Sequence, residues 1–250
     1  MYMAETETYA SGRTVGIVVA MQQEFDAIRR VLIPEAPVVT RQYSQVAVAA
    51  QAGITYAIIQ SGVGTTNAAI GTCDLLQHFR PQWVLNLGTA ALISDPTGAL
   101  RMADVLVGER HCQWDLDLGG PITSTWTAKR SYVDVLQINC LYPDAMLLQA
   151  AKGLSSGQNS QLGGAHFFSG NSFFVSDEQH SVLPSAAAAM AVDMESFAVA
   201  QVCARKAVPF LCMRGITDTG TASANQDFYA NVKAASQAVA VLARRLVQSL

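Results

Sequence analysis

Residues 15–34 read Val-Gly-Ile-Val-Val-Ala-Met-Gln-Gln-Glu-Phe-Asp-Ala-Ile-Arg-Arg-Val-Leu-Ile-Pro. The first six are apolar and rich in β-branched side chains, as expected of a strand covered on both faces. Glu24, Ala27, Ile28, Val31 and Leu32 then recur at helical spacing until Pro34 stops the pattern. A strand that passes directly into a helix is the repeating unit of an α/β fold.

The same alternation continues outward from this unit. Val46–Ala50 and Tyr56–Gln60 read as two strands joined through Gln51–Gly53, followed by a turn at Ser61-Gly-Val-Gly64 and a helix over 66–79. Trp83–Leu87 is a buried strand running into a turn at Gly88-Thr-Ala-Ala91. Asp104–Gly108 and Ala165–Ser169 are strand-like, Pro143–Gly153 helical, and 112–139 mostly loop with short strand. Ala186–Val192 ends in a strand, Glu195–Lys206 is a helix, Pro209–Ile216 a strand, and the last helix covers 227–250. The expectation is a mostly parallel sheet with helices on both faces. Residues 13–250 form one domain. Residues 1–12 are polar and acidic, lack the basic start and apolar core of a signal peptide, and are expected to be a disordered leader.

Composition narrows the function. Half of the 250 residues are hydrophobic and 14% charged, so little polar surface is available and a homo-oligomer is favoured. The net charge of −3, without a basic run, excludes a nucleic-acid groove. No apolar stretch reaches the roughly 18 residues of a membrane span. Cys73, Cys112, Cys140, Cys203 and Cys212 show no metal spacing and mostly lie in apolar runs, so reduced buried thiols and a cytoplasmic location are expected. His78, His111, His166 and His180 share no metal spacing and receive no role. Neither metal nor cofactor is expected.

In open α/β sheets, ligands bind beyond the carboxyl ends of the strands. The polar residues and glycines expected there are Glu24, Ser61–Gly64, Gly88–Thr89, Gly170–Ser172, Met194–Glu195 and Thr217–Asp218. A rim with three carboxylates and few cations suits a neutral or cationic ligand of base and polyol, not a phosphate. Cleaving an N-glycosidic bond needs an acid for the leaving base and a poised water on the opposite face. Asp218, after an apolar strand, is placed to be an acid of raised pKa. Plainer readings exist for each acid: Asp218 as a turn cap, Glu24 as a partner of its helix dipole, Glu195 as a helix cap. Asp193, two residues before Glu195, is expected to point to the other face. Arg214 is a lone cation in a core strand and requires a carboxylate such as Glu24 or Glu195, in a pair that is as easily structural as catalytic.

Three blocks in order resemble the purine nucleoside phosphorylase/uridine phosphorylase superfamily, and within it most the methylthioadenosine/S-adenosylhomocysteine nucleosidases. They are Gly16–Glu24, then Ser61–Gly64 through Asn86-Leu-Gly-Thr-Ala90, then Val192-Asp-Met-Glu195 through Arg214-Gly-Ile-Thr-Asp218; Ser169-Gly-Asn-Ser-Phe-Phe174 is a weaker fourth. The resemblance covers the chain from residue 14 apart from about 112–142. It implies a three-layer αβα sandwich around a mixed sheet, a homodimer, and a purine nucleoside and water as the reactants.

By that resemblance Glu24 activates water, with Thr89 and Arg214 helping to hold it. Glu195 binds ribose hydroxyls, Met194 packs on the sugar, and Asp218, oriented by Thr217, protonates the purine at N7. Phe173 stacks on the base and the backbone of Phe174 reads its edge, while Ala90 and Phe228 complete the pocket. The arginines by which phosphorylases hold phosphate are replaced by Asn86 and Thr65–Asn67, which favours hydrolysis. Three departures stand out. Thr89-Ala-Ala91-Leu92 replaces the usual Ser-Ala-Gly-Gly, Asn171 stands where an acid is common, and 112–142, which would shape the 5′ end of the pocket, is unmatched. The activities implied are adenine release from a 5′-thio-substituted adenosine, a futalosine-type nucleosidase, or phosphorolysis. A non-catalytic nucleoside binder has no need of both an acid and a base.

Overall fold

The opening unit forms as its pattern demands: strand β1 (Arg13–Val19) leads into helix α1 (Gln22–Leu32). Val15, Ile17 and Val19 pack on one side of the sheet and Val18 on the other, all fully buried, so the strand is covered on both faces. The computed structural model describes residues 13–40, 43–115, 140–154, 161–183 and 187–250. The leader expected over 1–12 and most of the 112–142 segment lie outside them.

Nine further strands join β1: β2 (Val38–Thr40), β3 (Gln45–Gln51), β4 (Ile54–Gln60), β5 (Trp83–Ser94), β6 (Val105–Gln113), β7 (Cys140–Leu141), β8 (Leu162–Ser169), β9 (Ala189–Asp193) and β10 (Phe210–Asp218). The other helices are α2 (Thr65–Phe79), α3 (Ala145–Lys152), the single turn α4 (Asp177–His180), α5 (Ser196–Lys206) and α6 (Ala224–Ser249). The spatial order is β10-β6-β8-β9-β5-β1-β4-β3-β2, and β10 also pairs with β5. Five strands therefore close into a ring, whose side chains Leu92, Leu106, Phe167, Ala191 and Ile216 pack as one buried cluster. Pairing is parallel through β4, β1, β5 and β10 and antiparallel at β2–β3–β4, β5–β9 and β6–β10, which makes the sheet mixed. Helices α1, α3 and α6 cover one face through Phe25, Ile28, Leu147, Val239 and Leu246. The other face lies under α2 and α5 through Ala68, Leu75, Phe197 and Cys203. This is the expected α/β sandwich of three layers.

Several local expectations change. Gly88–Ala91 is strand, not turn, because Thr89, Ala90 and Ala91 find ladder partners in Gly215, Ile216 and Asp218 of β10. β6 runs on to Gln113 beside β8, and α6 begins at Ala224, three residues before the expected start. The reading of five reduced, buried thiols is also corrected. Cys112 and Cys140 face each other across the antiparallel β6–β7 pair, with Cα atoms 4.5 Å apart, and form a disulfide; directly opposed residues of such a pair lie within bridging range. Cys73 is free and exposed, while Cys203 and Cys212 are free and buried, their thiols pushed by burial up to about 12. No helix among the described residues is long and apolar enough to cross a membrane.

Candidate active site

Glu24 sits in the first turn of α1 and is 1% exposed. One carboxylate oxygen accepts the backbone N–H groups of Ala20 and Met21, at 3.0 and 3.1 Å. The other accepts the backbone N–H and the hydroxyl of Thr89, at 2.8 and 3.0 Å. The first pair is the helix-start role that the plain reading gives an acid here. The second pair ties α1 to the end of the parallel sheet and holds the carboxylate at the ligand rim. Gly88 makes this approach possible: a Cβ there would overlap both the Glu24 carboxyl and the Arg214 guanidinium.

Glu195 begins α5, yet its side chain makes no cap bond. Its Oε1 accepts the backbone N–H of Gly64 at 2.9 Å and its Oε2 faces Arg214 Nη2 at 3.3 Å. Gly64 adopts φ 100°, a conformation that suits glycine, and aims its amide at this carboxylate. The Ser61–Gly64 turn therefore serves an internal anion at the start of α2. Burial, only partly offset by Arg214, pushes the Glu195 carboxyl up to about 7, and the neighbouring Asp193 and Glu24 add to the rise.

Arg214, wholly buried on β10, donates to Asn86 Oδ1 at 2.7 Å and pairs with Asp193 at 3.1 Å and Glu195 at 3.3 Å. Burial alone would weaken its hold on the proton, but Asp193, Glu195 and Glu24 outweigh that and the net shift is upward. Asp193 was expected to face away. Instead β9 ends at Asp193, so strand alternation no longer applies to Glu195, and both acids reach the same guanidinium. Asp193 also accepts the backbone N–H of Ser196 at 3.2 Å, taking the helix-capping role expected of Glu195. Asn86 and Asp193 are thus site residues that sequence reasoning missed; the need of a lone core arginine for several acceptors was the signal for both.

Asp218 ends β10 after a bulge and is 1% exposed. Its carboxyl contacts the N–H of Gly220 and the hydroxyl of Thr217, both at 2.9 Å, and Thr217 also reaches the carbonyl of Ala90 at 3.2 Å. Burial raises its pKa, against the lowering effect of those two donors. The Gly220 contact meets the turn-cap reading, and the raised pKa expected of this carboxyl accompanies it.

Glu24, Glu195 and Asp218 line one cavity of about 220 Å³, as does Asp193, together with Thr89, Ala90, Phe173, Phe174, Met194, Thr217 and Phe228. Arg214 stands behind the wall. Phe174 is buried deep, edge-on to Trp114 at 5.0 Å, while Phe173 lies at the mouth, edge-on to Phe228 at 5.9 Å. Met21, Val63 and Tyr229 line the same space. Asn171, which replaces the common acid, accepts from Thr65 at 3.0 Å and braces the loop over α2.

A family model described as the phosphorylase superfamily matches residues 14–248. The chain belongs to the phosphorylase superfamily. A 5′-methylthioadenosine/S-adenosylhomocysteine nucleosidase of Haemophilus influenzae (strain PittGG) is 30% identical over 218 residues, covering 86% of this chain and 90% of its own. The crystal structure of such a nucleosidase from Neisseria meningitidis, in complex with methylthio-immucillin-A, superposes with a TM-score of 0.83 at 25% identity, covering 95% of this chain and 100% of that one. A futalosine hydrolase of Helicobacter pylori strain 26695 shares the fold, with a TM-score of 0.84 at 24% identity over 95% of this chain and 98% of its own.

No Lys or Arg stands among the described residues lining the cavity, and the Gly64 amide is already occupied by Glu195. A phosphate dianion entering here would meet the carboxylic acids Glu24, Asp193, Glu195 and Asp218, and no Lys or Arg among the described lining residues.

Proposed function

We propose that the cavity takes a purine nucleoside of the 5′-methylthioadenosine/S-adenosylhomocysteine class and that the protein hydrolyses its N-glycosidic bond, releasing adenine. The observation that carries this reading is the convergence of Glu24, Glu195 and Asp218 on one cavity whose guanidinium lies behind the wall. The nucleosidases of similar sequence and fold support the reaction class.

In the proposed step, the oxygen of water bonds to C1′ as the bond from C1′ to the purine nitrogen breaks. The electron pair of that bond passes into the base. Asp218, whose burial favours the protonated carboxyl, delivers its proton to N7, oriented by Thr217. Glu24, held on four donors, takes the proton of the attacking water. Glu195 accepts the ribose hydroxyls, Met194 packs on the sugar, and Phe173 and the Phe174 backbone enclose the base. One water is consumed, and one free base and one free sugar leave.

The exposed apolar rim at the mouth, Val63 at 45%, Phe173 at 39% and Tyr229 at 74%, supports a homodimer in which a second copy covers it. A cytoplasmic site of action now rests on three free cysteines, since a bond such as Cys112–Cys140 is preserved mainly in oxidising compartments. The test is product analysis with methylthioadenosine, S-adenosylhomocysteine, adenosine, inosine and uridine, each with and without phosphate. Adenine and free sugar from the 5′-thio substrates at rates indifferent to phosphate are expected. Strict phosphate dependence would overturn the assignment of water as the acceptor.

A further inference from the structure

A file of buried polar groups continues behind Arg214. His111 on β6, Ser169 at the end of β8 and Ser196 at the start of α5 are all fully buried, and none lines the cavity. His111 Nδ1 lies 3.0 Å from Ser196 Oγ, Ser196 Oγ lies 3.1 Å from Ser169 Oγ, and Ser169 Oγ bonds Asp193 Oδ1. Asp193 Oδ2 then meets Arg214, which meets Glu195.

Counting protons fixes the direction of this file. Asp193 beside Arg214 is an acceptor, so the single hydroxyl proton of Ser169 goes to it. Ser169 also accepts the backbone N–H of Phe197 at 2.9 Å, and receives the proton of Ser196. Ser196 has then spent its own proton, so His111 must donate from Nδ1. The three contacts consume three protons, all pointing toward the carboxylate. A neutral imidazole has one N–H, which leaves Nε2 bare; that buried atom lies beside Gly108 and makes no hydrogen bond of normal geometry, and a backbone contact with Gly108 offsets only part of the effect of burial on the ring. The ring is stacked on Phe167 at 5.6 Å and meets the edge of Phe210 at 5.1 Å, and burial drives its pKa down to about 4, which keeps it neutral.

We propose that His111, acting through Ser196 and Ser169, is a positioning residue that fixes Asp193 as the anchor of Arg214 and thereby sets the position of Glu195. This rests on the reading of Glu195 as the carboxylate that holds the ribose hydroxyls. Arg214 Nη2 is shared between Asp193 and Glu195 at nearly equal distances. When the donors behind Asp193 are lost, the guanidinium is drawn toward Asp193 and away from Glu195. A group that binds sugar hydroxyls equally before and during the reaction acts on KM rather than kcat.

The test uses the full chain. Ser196→Ala and His111→Phe are each expected to raise KM for methylthioadenosine about five- to tenfold, the range of one net hydrogen bond, with kcat within about twofold. His111→Asn, whose amide N–H replaces Nδ1–H, is expected to restore KM, and His111→Gln is not. In a Ser196→Ala background the rescue by Asn should vanish. Unchanged KM in Ser196→Ala, or equal KM for His111→Asn and His111→Phe, would overturn the proposal, and Ser196→Ala decides alone if the His111 variants do not fold. A measurement free of substrate separates this from the functional reading: nitrogen-edited NMR of the wild-type imidazoles should show His111 neutral and protonated at Nδ1. An Nε2–H tautomer would refute the relay even in an active enzyme, whereas an inactive protein with the Nδ1–H tautomer would refute the nucleosidase reading instead.

Discussion

Replacing Arg214 by Met removes the cation that pairs with Asp193 and Glu195 and interacts with Glu24, while keeping much of the side chain's volume. The guanidinium is wholly buried and contacts Asp193 at 3.1 Å and Glu195 at 3.3 Å. Removing one partner of a buried ion pair costs about 3–5 kcal/mol, because the partner's charge is left uncompensated. For a chain of this size about 2–4 °C of melting temperature accompanies each kcal/mol, so the expected loss near pH 8 is roughly 6–20 °C. The loss should depend on pH. Glu195 already sits at about 7 with Arg214 present, and removing Arg214 takes away the positive charge that lowers it. A carboxyl whose folded pKa lies above its unfolded value holds its proton longer in the folded state, so stability falls as pH rises through that window. The deficit should therefore be largest near pH 8 and shrink toward pH 5.5, where the folded variant keeps the Glu195 carboxyl neutral. Thermal unfolding followed by circular dichroism at both pH values measures it. A deficit equal at the two pH values, or under about 2 °C at pH 8, would refute the view of Arg214 as the charge that holds this cluster together.

Asp218→Asn and Glu24→Gln should each lower turnover about 100-fold or more, as loss of a general acid or base does, measured by adenine release; near-normal rates in either would remove that residue's role. Gly88→Ala drives a methyl into the Glu24 and Arg214 head groups; it should cost about 1–3 kcal/mol of stability and depress kcat/KM about tenfold or more, and a neutral variant would mean that the close approach is dispensable. Reducing the Cys112–Cys140 bond, which joins residues 28 apart in sequence, should remove about 3 kcal/mol and lower the melting temperature by about 6–12 °C. Identical unfolding with and without a dithiol would count against that bond.

The layered fold was legible because its central strands are continuously apolar and its helices periodic, as in Val15–Leu32, and such patterns admit few alternatives. The acids were legible because strand ends in α/β sheets collect at one rim, and Glu24, Glu195 and Asp218 do line one cavity. What was hidden depends on pairing across distance. Gly88–Ala91 carries turn-like small residues, yet its partners on β10 hold it extended. Asp193 was misplaced because period two stops where the strand stops. The Cys112–Cys140 bond needs a register that joins residues on either side of an unmatched stretch. His111 gives no local sign of its part, since its hydroxyl partners come from β8 and α5.

The most direct trial of the account is to run the reaction on methylthioadenosine in heavy-oxygen water and weigh the sugar. Hydrolysis at C1′ predicts one heavy oxygen in the free sugar of each turnover and none in the adenine. An unlabelled sugar phosphate formed only when phosphate is supplied would show that the rim of carboxylates admits an anion after all.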